Sequence, residues 1–215
     1  MDNNYTALSL FSSSGIGDVA LRKCGIDTLV ANELLQDRCA LFRRNFPKTE
    51  VIQGPIEERK TEIIRKVNSL LVVKKLDFAL VTPPCQGMSK NGRGKLLAEI
   101  NAGRRPKIDP RNLLILPALE IIKSLEPENS IFENVSEMIN TSIPFRGGVS
   151  PIIDIIKFYL GEYEVEPKII EFADYGVPQR RLRLITIATK SKNLKKHKQN
   201  FGSLFPPPTH SKDSK

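Results

Sequence analysis

The sequence predicts an α/β domain built on a mostly parallel sheet. Three observations predict it. Short apolar runs alternate with helix-like segments from Tyr5 to Thr189. Runs such as Phe78-Ala79-Leu80-Val81 are continuously apolar, as strands buried on both faces are. The glycine-, proline- and acid-bearing motifs follow the ends of these runs, where open α/β sheets place their ligand crevice.

Each element has its own local reason. Tyr5 to Phe11 reads as the first strand, and Ile16 to Cys24 as a helix closed by Gly25. Thr28 to Asn32 is a second strand, Gln36 to Asn45 a helix stopped near Pro47, and Glu50 to Gln53 a short third strand. Glu57 to Lys74 is an amphipathic helix, with Ile63, Ile64, Val67, Leu70 and Leu71 at helical spacing. Asp77 to Val81 is the fourth strand. Asn112 to Ser124 is apolar on one face, and Pro117 either kinks that helix or marks its start. Ser130 to Glu133 is a fifth strand, and Ser150 to Leu160 a helix with Pro151 at its first position. Val165 to Phe172 and Arg181 to Thr189 are the sixth and seventh strands. The chain after Thr189 is lysine-rich, then proline-rich, and is expected to be a linker rather than a folded element.

The chain has 215 residues, enough for one domain with a sizeable core. No apolar run approaches the ~18 residues of a membrane span, and Met1-Asp2-Asn3-Asn4 lacks the basic and apolar regions of a signal peptide. Three cysteines at scattered positions and two histidines argue against a disulfide framework or a zinc site, and suit a reducing cytoplasm. Cys24 and Cys39 lie in helical segments and read as inert core thiols. The net charge is +9, part of it in the lysines from Lys190 to Lys198 and part in the stretch Lys90 to Arg111. Two basic stretches suggest a polyanion partner such as nucleic acid; the alternative is charge that serves solubility.

Five sequence features carry chemistry. The first strand runs into Ser12-Ser13-Ser14-Gly15-Ile16-Gly17, whose small residues let a ligand approach backbone amides at a helix N-terminus. Glu33, ending the second strand, stands where an acid commonly holds ribose hydroxyls; a helix N-terminal acid is the alternative. Pro83-Pro84 stiffens the exit of the fourth strand and presents Cys85 ahead of the polar stretch from Gln86 to Lys95, a layout that suits a nucleophile. Glu133-Asn134-Val135 puts a carboxylate at the same sheet edge, where acid and thiol can divide roles; a capping turn is the alternative. In Gln179-Arg180-Arg181-Leu182-Arg183, Arg181 and Arg183 would project to one face of a strand and suit phosphate or a base carbonyl.

Taken together, these residues resemble the C5-cytosine DNA methyltransferases. Leu10-Phe11 through Gly15-Ile16-Gly17 looks like the family's cofactor motif, Pro83-Pro84-Cys85-Gln86 with Ser89 like its catalytic motif, Glu133-Asn134-Val135 like the motif gripping the target base, and Gln179, Arg181 and Arg183 like its later arginine motif. The resemblance implies the S-adenosylmethionine-dependent methyltransferase (Rossmann-like) fold, with seven strands and helices on both faces. It implies S-adenosyl-L-methionine as cofactor, S-adenosyl-L-homocysteine as product and no metal. Phe11, Ser12, Ser14, Gly15, Ile16, Gly17, Glu33 and Pro84 would bind the cofactor. Cys85, Gln86, Glu133, Arg181 and Arg183 would be catalytic, and Ser89, Asn134 and Gln179 would face the DNA. It further implies double-stranded DNA as partner, base flipping, and a role in a bacterial, cytoplasmic restriction-modification system.

Some positions depart from the family pattern. Ser9 stands where the first strand usually carries an aspartate, and Pro55 where an aspartate usually meets the adenine amino group. The expected organisation is a catalytic domain over residues 1–190. Residues 191–215 would lead towards a target-recognition region outside the chain, supplied by a second polypeptide if the enzyme is split. Rival readings are a transfer-RNA cytosine-C5 methyltransferase and an inactive DNA- or nucleotide-binding subunit. A nicotinamide-dependent dehydrogenase would need a tighter glycine turn and leaves Pro-Pro-Cys-Gln unexplained.

Overall fold

The computed structural model describes residues 5–71, 75–84 and 109–210. The chain divides into two units, Met1–Pro83 with Leu114–Ile131, and Pro84–Leu113 with Phe132–Lys215.

In the first unit the strands β1 (Tyr5–Leu10), β2 (Ile26–Glu33), β3 (Glu50–Gln53) and β4 (Phe78–Val81) alternate with the helices α1 (Ile16–Lys23), α2 (Gln36–Asn45) and α3 (Ile56–Leu70). β1 pairs in parallel with β2 on one side and with β4 on the other, and β3 pairs in parallel with β2. Ala7, Leu8 and Leu10 of β1, Val30 and Ala31 of β2, and Ala79 and Val81 of β4 are all fully buried, which explains why these strands read as apolar runs rather than as alternating ones. Gly25, at φ 73, ends α1 as expected. Helix α4 (Ile115–Leu125) follows a 3₁₀ turn over Pro110–Leu114. Pro117 therefore falls in the first turn of α4, where no intrahelical partner for its missing N–H is lost. α4 packs against α3, and Lys60 pairs with Glu120 across that contact. Cys39 is buried, but Cys24 is exposed and is not the core thiol its apolar neighbours suggested: it is the C-cap of α1, past the helix's last turn.

β5 (Asn129–Val135) runs from the first unit into the second. The second unit continues with a 3₁₀ turn (Ser136–Asn140), β6 (Ser142–Phe145), β7 (Gly148–Pro151), α5 (Ile152–Tyr159), β8 (Glu164–Glu171), a 3₁₀ turn (Phe172–Tyr175), β9 (Leu182–Thr189) and α6 (Lys192–Phe201). β8 and β9 are antiparallel. The seven-stranded sheet has the order β3-β2-β1-β4-β5-β9-β8, so it is a mixed sheet with an antiparallel pair at one edge.

Two differences from the sequence reading have physical causes. Ser150-Pro151 was expected to open a helix, but it ends β7 of a β6–β7 hairpin, and α5 starts at Ile152. The hairpin closes on Arg146 and Gly147, both at positive φ (52° and 82°), the backbone that tight two-residue turns require. The stretch after Thr189, expected to be unfolded, forms α6. Its Lys198 pairs with Glu164 and Glu166 of β8 at 2.7 and 3.2 Å, and Leu204 and Phe205 beyond it are buried. Lysine is a good helix former once neighbouring acids offset its self-repulsion.

Candidate active site

The turn after β1 is built from strained backbone. Phe11 (φ 58°), Ser13 (φ 51°) and Gly15 (φ 87°) all occupy the left-handed region, and the first two are not glycine. Hydrogen bonds to the end of β2 hold this conformation. The Ser12 N–H donates to the Asn32 carbonyl at 3.0 Å, and the Ser13 N–H donates to Glu33 Oε2 at 2.9 Å. Glu33 Oε1 accepts the Leu35 N–H at 2.9 Å. Each carboxylate oxygen thus takes one backbone amide and has capacity for a second donor, as an acid shared between a turn and a ribose would need. Asn32 fixes the neighbouring backbone by donating to the Ile52 and Gly54 carbonyls at 2.9 and 3.2 Å.

Gly15 is required on two counts, its positive φ and its packing: an added Cβ would lie 2.5 Å from the Phe46 ring and 3.1 Å from Phe42. Gly17 lies against Leu80. Ser14 is half-buried, and Ile16 is 80% exposed at the start of α1. Thr82, just past β4, donates its hydroxyl to the Phe11 carbonyl at 3.1 Å. Pro84 is half-buried. Cys85, Gln86 and Ser89 lie outside the described residues.

Asp18, at the end of the serine-glycine stretch, has no role assigned by the sequence. It is almost fully buried in the first turn of α1, where it accepts the Thr28 hydroxyl at 2.7 Å and the Ser9 hydroxyl at 3.1 Å. Burial pushes its carboxyl above the ordinary range, while the Thr28 and Ser9 hydrogen bonds pull the other way. Ser9, the departure in the first strand, is thus a hydrogen-bond partner of this buried acid. The signal that could have found it is an acid one turn into a helix whose facing strands carry hydroxyls. At the other departure, Pro55 is the N-cap of α3, and Glu57 and Glu58 are exposed in that helix's first turn.

In the second unit, Glu133 of β5 and Arg183 of β9 are 50 residues apart in sequence yet form an ion pair, Nε to Oε1, at 2.9 Å. Both side chains are partly shielded, 33% and 18% exposed. Arg183 also donates from Nη1 to the Leu182 carbonyl at 2.8 Å. Asn134 is buried, and its Oδ1 accepts the Val135 N–H at 2.8 Å as the chain enters the 3₁₀ turn. Arg181 precedes β9 and is exposed, so it does not share the environment of Arg183 as a common strand face would require. Gln179 is exposed on the same connection, and its N–H donates to the Val177 carbonyl at 2.7 Å. Arg180, assigned no role by the sequence, pairs with Glu171 at 2.8 Å.

Among the described residues no cluster of potential ligands could hold a metal ion, and no helix is long and apolar enough to cross a membrane.

A family model for C-5 cytosine-specific DNA methylases matches residues 5–214. The Type II methyltransferase M1.HgaI of Avibacterium volantium is 36% identical over 186 residues, covering 86% of this chain and 50% of its own length. The Type II methyltransferase M.AquIA of a Picosynechococcus strain is 33% identical over 210 residues, covering 94% of this chain and 76% of its own length. A DNMT2 mutant from Spodoptera frugiperda shares the fold, with a TM-score of 0.62 at 22% identity over 87% of this chain and 50% of that one. The chain therefore spans about half the length of M1.HgaI and about three quarters of M.AquIA. Matched along nearly its whole length, it belongs to the C-5 cytosine-specific DNA methylase family.

Proposed function

We propose that the chain is the catalytic region of an enzyme that methylates carbon 5 of cytosine in double-stranded DNA, as part of a restriction-modification system. The observation that carries this reading is the Glu133–Arg183 ion pair, which brings the ends of two separate motifs to one point. The left-handed turn after β1, tied to Glu33, fits a nucleoside-bearing cofactor: its backbone is aimed by strain and its acid is held by amides. When bound, S-adenosylmethionine supplies an electrophilic methyl group.

The chain's own residues do the rest. The flipped cytosine receives the Cys85 thiolate at C6, while Glu133 supplies a hydrogen bond or proton at N3, so that the ring electrons move to C5. Arg183 fixes the Glu133 carboxylate through Nε and addresses the base carbonyl with its outer N–H groups. Once C5 carries the methyl group, water takes the C5 proton, and the electrons of that C–H bond expel the Cys85 thiolate and restore the aromatic ring. The proposed roles are cofactor binding for Phe11, Ser12, Ser14, Gly15, Ile16, Gly17, Glu33 and Pro84, catalysis for Gln86 and Arg181 beside Cys85, Glu133 and Arg183, and DNA contact for Ser89, Asn134 and Gln179. Residues 1–190 carry the proposed catalytic motifs, α6 and Leu204–His210 fold back onto the second unit, and target recognition falls to a region on the same or a second polypeptide.

The test is a duplex carrying 5-fluorocytosine, which blocks the final proton loss, offered with labelled S-adenosylmethionine to the chain together with any polypeptide that completes it. A covalent adduct on Cys85, lost in Cys85→Ser, is expected. An adduct with transfer RNA alone, or none with any nucleic acid, overturns the proposal.

A further inference from the structure

The proline-rich segment after α6 is clamped to the second unit at both ends. At its start, Leu204 and Phe205 are buried, the Leu204 N–H donates to Glu166 Oε2 at 3.0 Å, and the Ser203 hydroxyl donates to Glu166 Oε1 at 2.6 Å. Lys168 of β8 places its ammonium 5.5 Å from the centre of the Phe205 ring. At its far end, the N–H groups of Thr209 and His210 both donate to one acceptor, the Asp174 carbonyl, each at 2.9 Å. Between the two anchors, Tyr175 donates its hydroxyl to the Pro206 carbonyl at 3.1 Å. The His210 ring packs where Gly176 has no side chain, within 2.9 Å of where a Cβ would be.

The contacts from Pro206 to His210 converge on a short region. Asp174, Tyr175 and Gly176 form the 3₁₀ turn and its cap at the end of β8. The connection that follows carries Gln179, Arg180 and Arg181 before β9 begins. Within it, the Phe172 N–H donates to the Arg181 carbonyl at 3.0 Å and the Val177 N–H to the Phe172 carbonyl at 3.2 Å. Gly176 to Arg181 are all exposed, so core burial does little to hold this loop in one shape. Three successive prolines, by contrast, lose little entropy on ordering and act as a stiff spacer. A stiff spacer pinned at Phe205 and at Asp174 fixes the turn from outside.

We infer that Leu204–His210 is a strap that orders the β8–β9 connection, with Tyr175 and His210 as positioning residues that act through Gln179 and Arg181. This rests on the proposed function for the statement that the ordered loop meets DNA, and it assigns the segment a role in presenting that loop.

The experiment uses the full chain and two substitutions, Tyr175→Phe and His210→Ala. Hydrogen exchange is read at the Gly176, Val177 and Gln179 amides, with the β1 amides as control. Dissociation of a duplex oligonucleotide is followed by fluorescence anisotropy, and S-adenosylmethionine binding by calorimetry. Tyr175→Phe is expected to speed exchange in the connection about fivefold, the effect of losing one net hydrogen bond, and His210→Ala, which keeps its backbone bond to Asp174 but loses the ring packed against Gly176, should speed it in the same direction. Each should weaken duplex binding by a similar factor and leave β1 exchange and cofactor affinity unchanged, a split that general destabilisation would not produce. Unchanged exchange in the connection overturns the strap. Faster exchange with unchanged duplex affinity overturns the positioning role. If the unsubstituted chain binds no duplex, the duplex measurement is made with the polypeptide that completes it, where unchanged affinity of the substituted chains overturns the positioning role, and the exchange measurement decides the strap.

Discussion

Replacing Gly15 by alanine tests the turn after β1 most directly. The new methyl would meet Phe46 at 2.5 Å and Phe42 at 3.1 Å, with the backbone held at φ 87°. Phe42 is fully buried and Phe46 nearly so, and the ring centroids lie 4.8 Å apart, so neither ring has open space to retreat into. The left-handed backbone costs alanine about 1–2 kcal/mol. Overpacking in a tight core adds about 1–3 kcal/mol. The sum is roughly 2–5 kcal/mol, and at ~2–4 °C per kcal/mol for a chain of this size the melting temperature should fall by roughly 4–20 °C. Gly25→Ala is the control. It shares a positive φ, 73°, but nothing lies within 4 Å of the added methyl. It bears only the backbone cost, about 1–2 kcal/mol and roughly 2–8 °C. Thermal melts by circular dichroism, read with S-adenosylmethionine titrations of both variants, give the comparison. Equal melting temperatures for the two variants would show that the Phe42–Phe46 wall does not shape the turn. Unchanged cofactor affinity in a folded Gly15→Ala chain would remove the turn from the cofactor site.

Further outcomes follow from named contacts. A double-mutant cycle of Glu133→Gln and Arg183→Ala should give a coupling of about 1 kcal/mol in urea unfolding, since the pair is only partly shielded; methyl transfer should fall far more steeply, and a coupling of zero would mean the two groups do not meet in solution. Asp18 has its carboxyl raised above the ordinary 3.8, so the folded state holds the proton more tightly and stability falls as pH rises through that window. Asp18→Asn should therefore compare better with the parent chain at pH 7 than at pH 4 in urea midpoints, and a constant difference would contradict the burial argument. Glu166 is the opposite case. Burial raises its carboxyl, but the Ser203, Leu204 and Lys198 hydrogen bonds outweigh that and hold it below the ordinary 4.5. Its contribution is present above pH 4.5 and lost as pH falls through the depressed value. Protection of the Leu204 and Phe205 amides, relative to their intrinsic exchange at each pH, should fall on acidification, and Glu166→Gln should flatten that fall.

Much of the architecture was legible because it depends on local pattern. Apolar runs and amphipathic helices gave the strands from β1 to β5 and the helices between them to within a few residues. Glu33 could be named as a candidate from its place at the end of β2, and its amide contacts with the serine turn agree with that place. The hairpin β6–β7 was illegible, because Arg146-Gly147 is not a typical two-residue turn and Pro151 mimics a helix start. Helix α6 was read as a linker because the offsetting acids, Glu164 and Glu166, lie about thirty residues upstream. Asp18 was assigned no role because its partners, Ser9 and Thr28, come from two different strands.

By itself the sequence determined which chemistry is on offer: a thiol after two prolines, an acid ending β5 and arginines around the start of β9, each fixed by short stretches of chain. Tertiary structure alone decided which of these groups meet. It joined Glu133 to Arg183 and left Arg181 in solvent, and it folded a proline tail back onto the turn at Asp174. The physical reason is that a periodicity reports only which way neighbouring residues face, whereas ion pairs and hydrogen bonds between distant segments depend on strand order and packing.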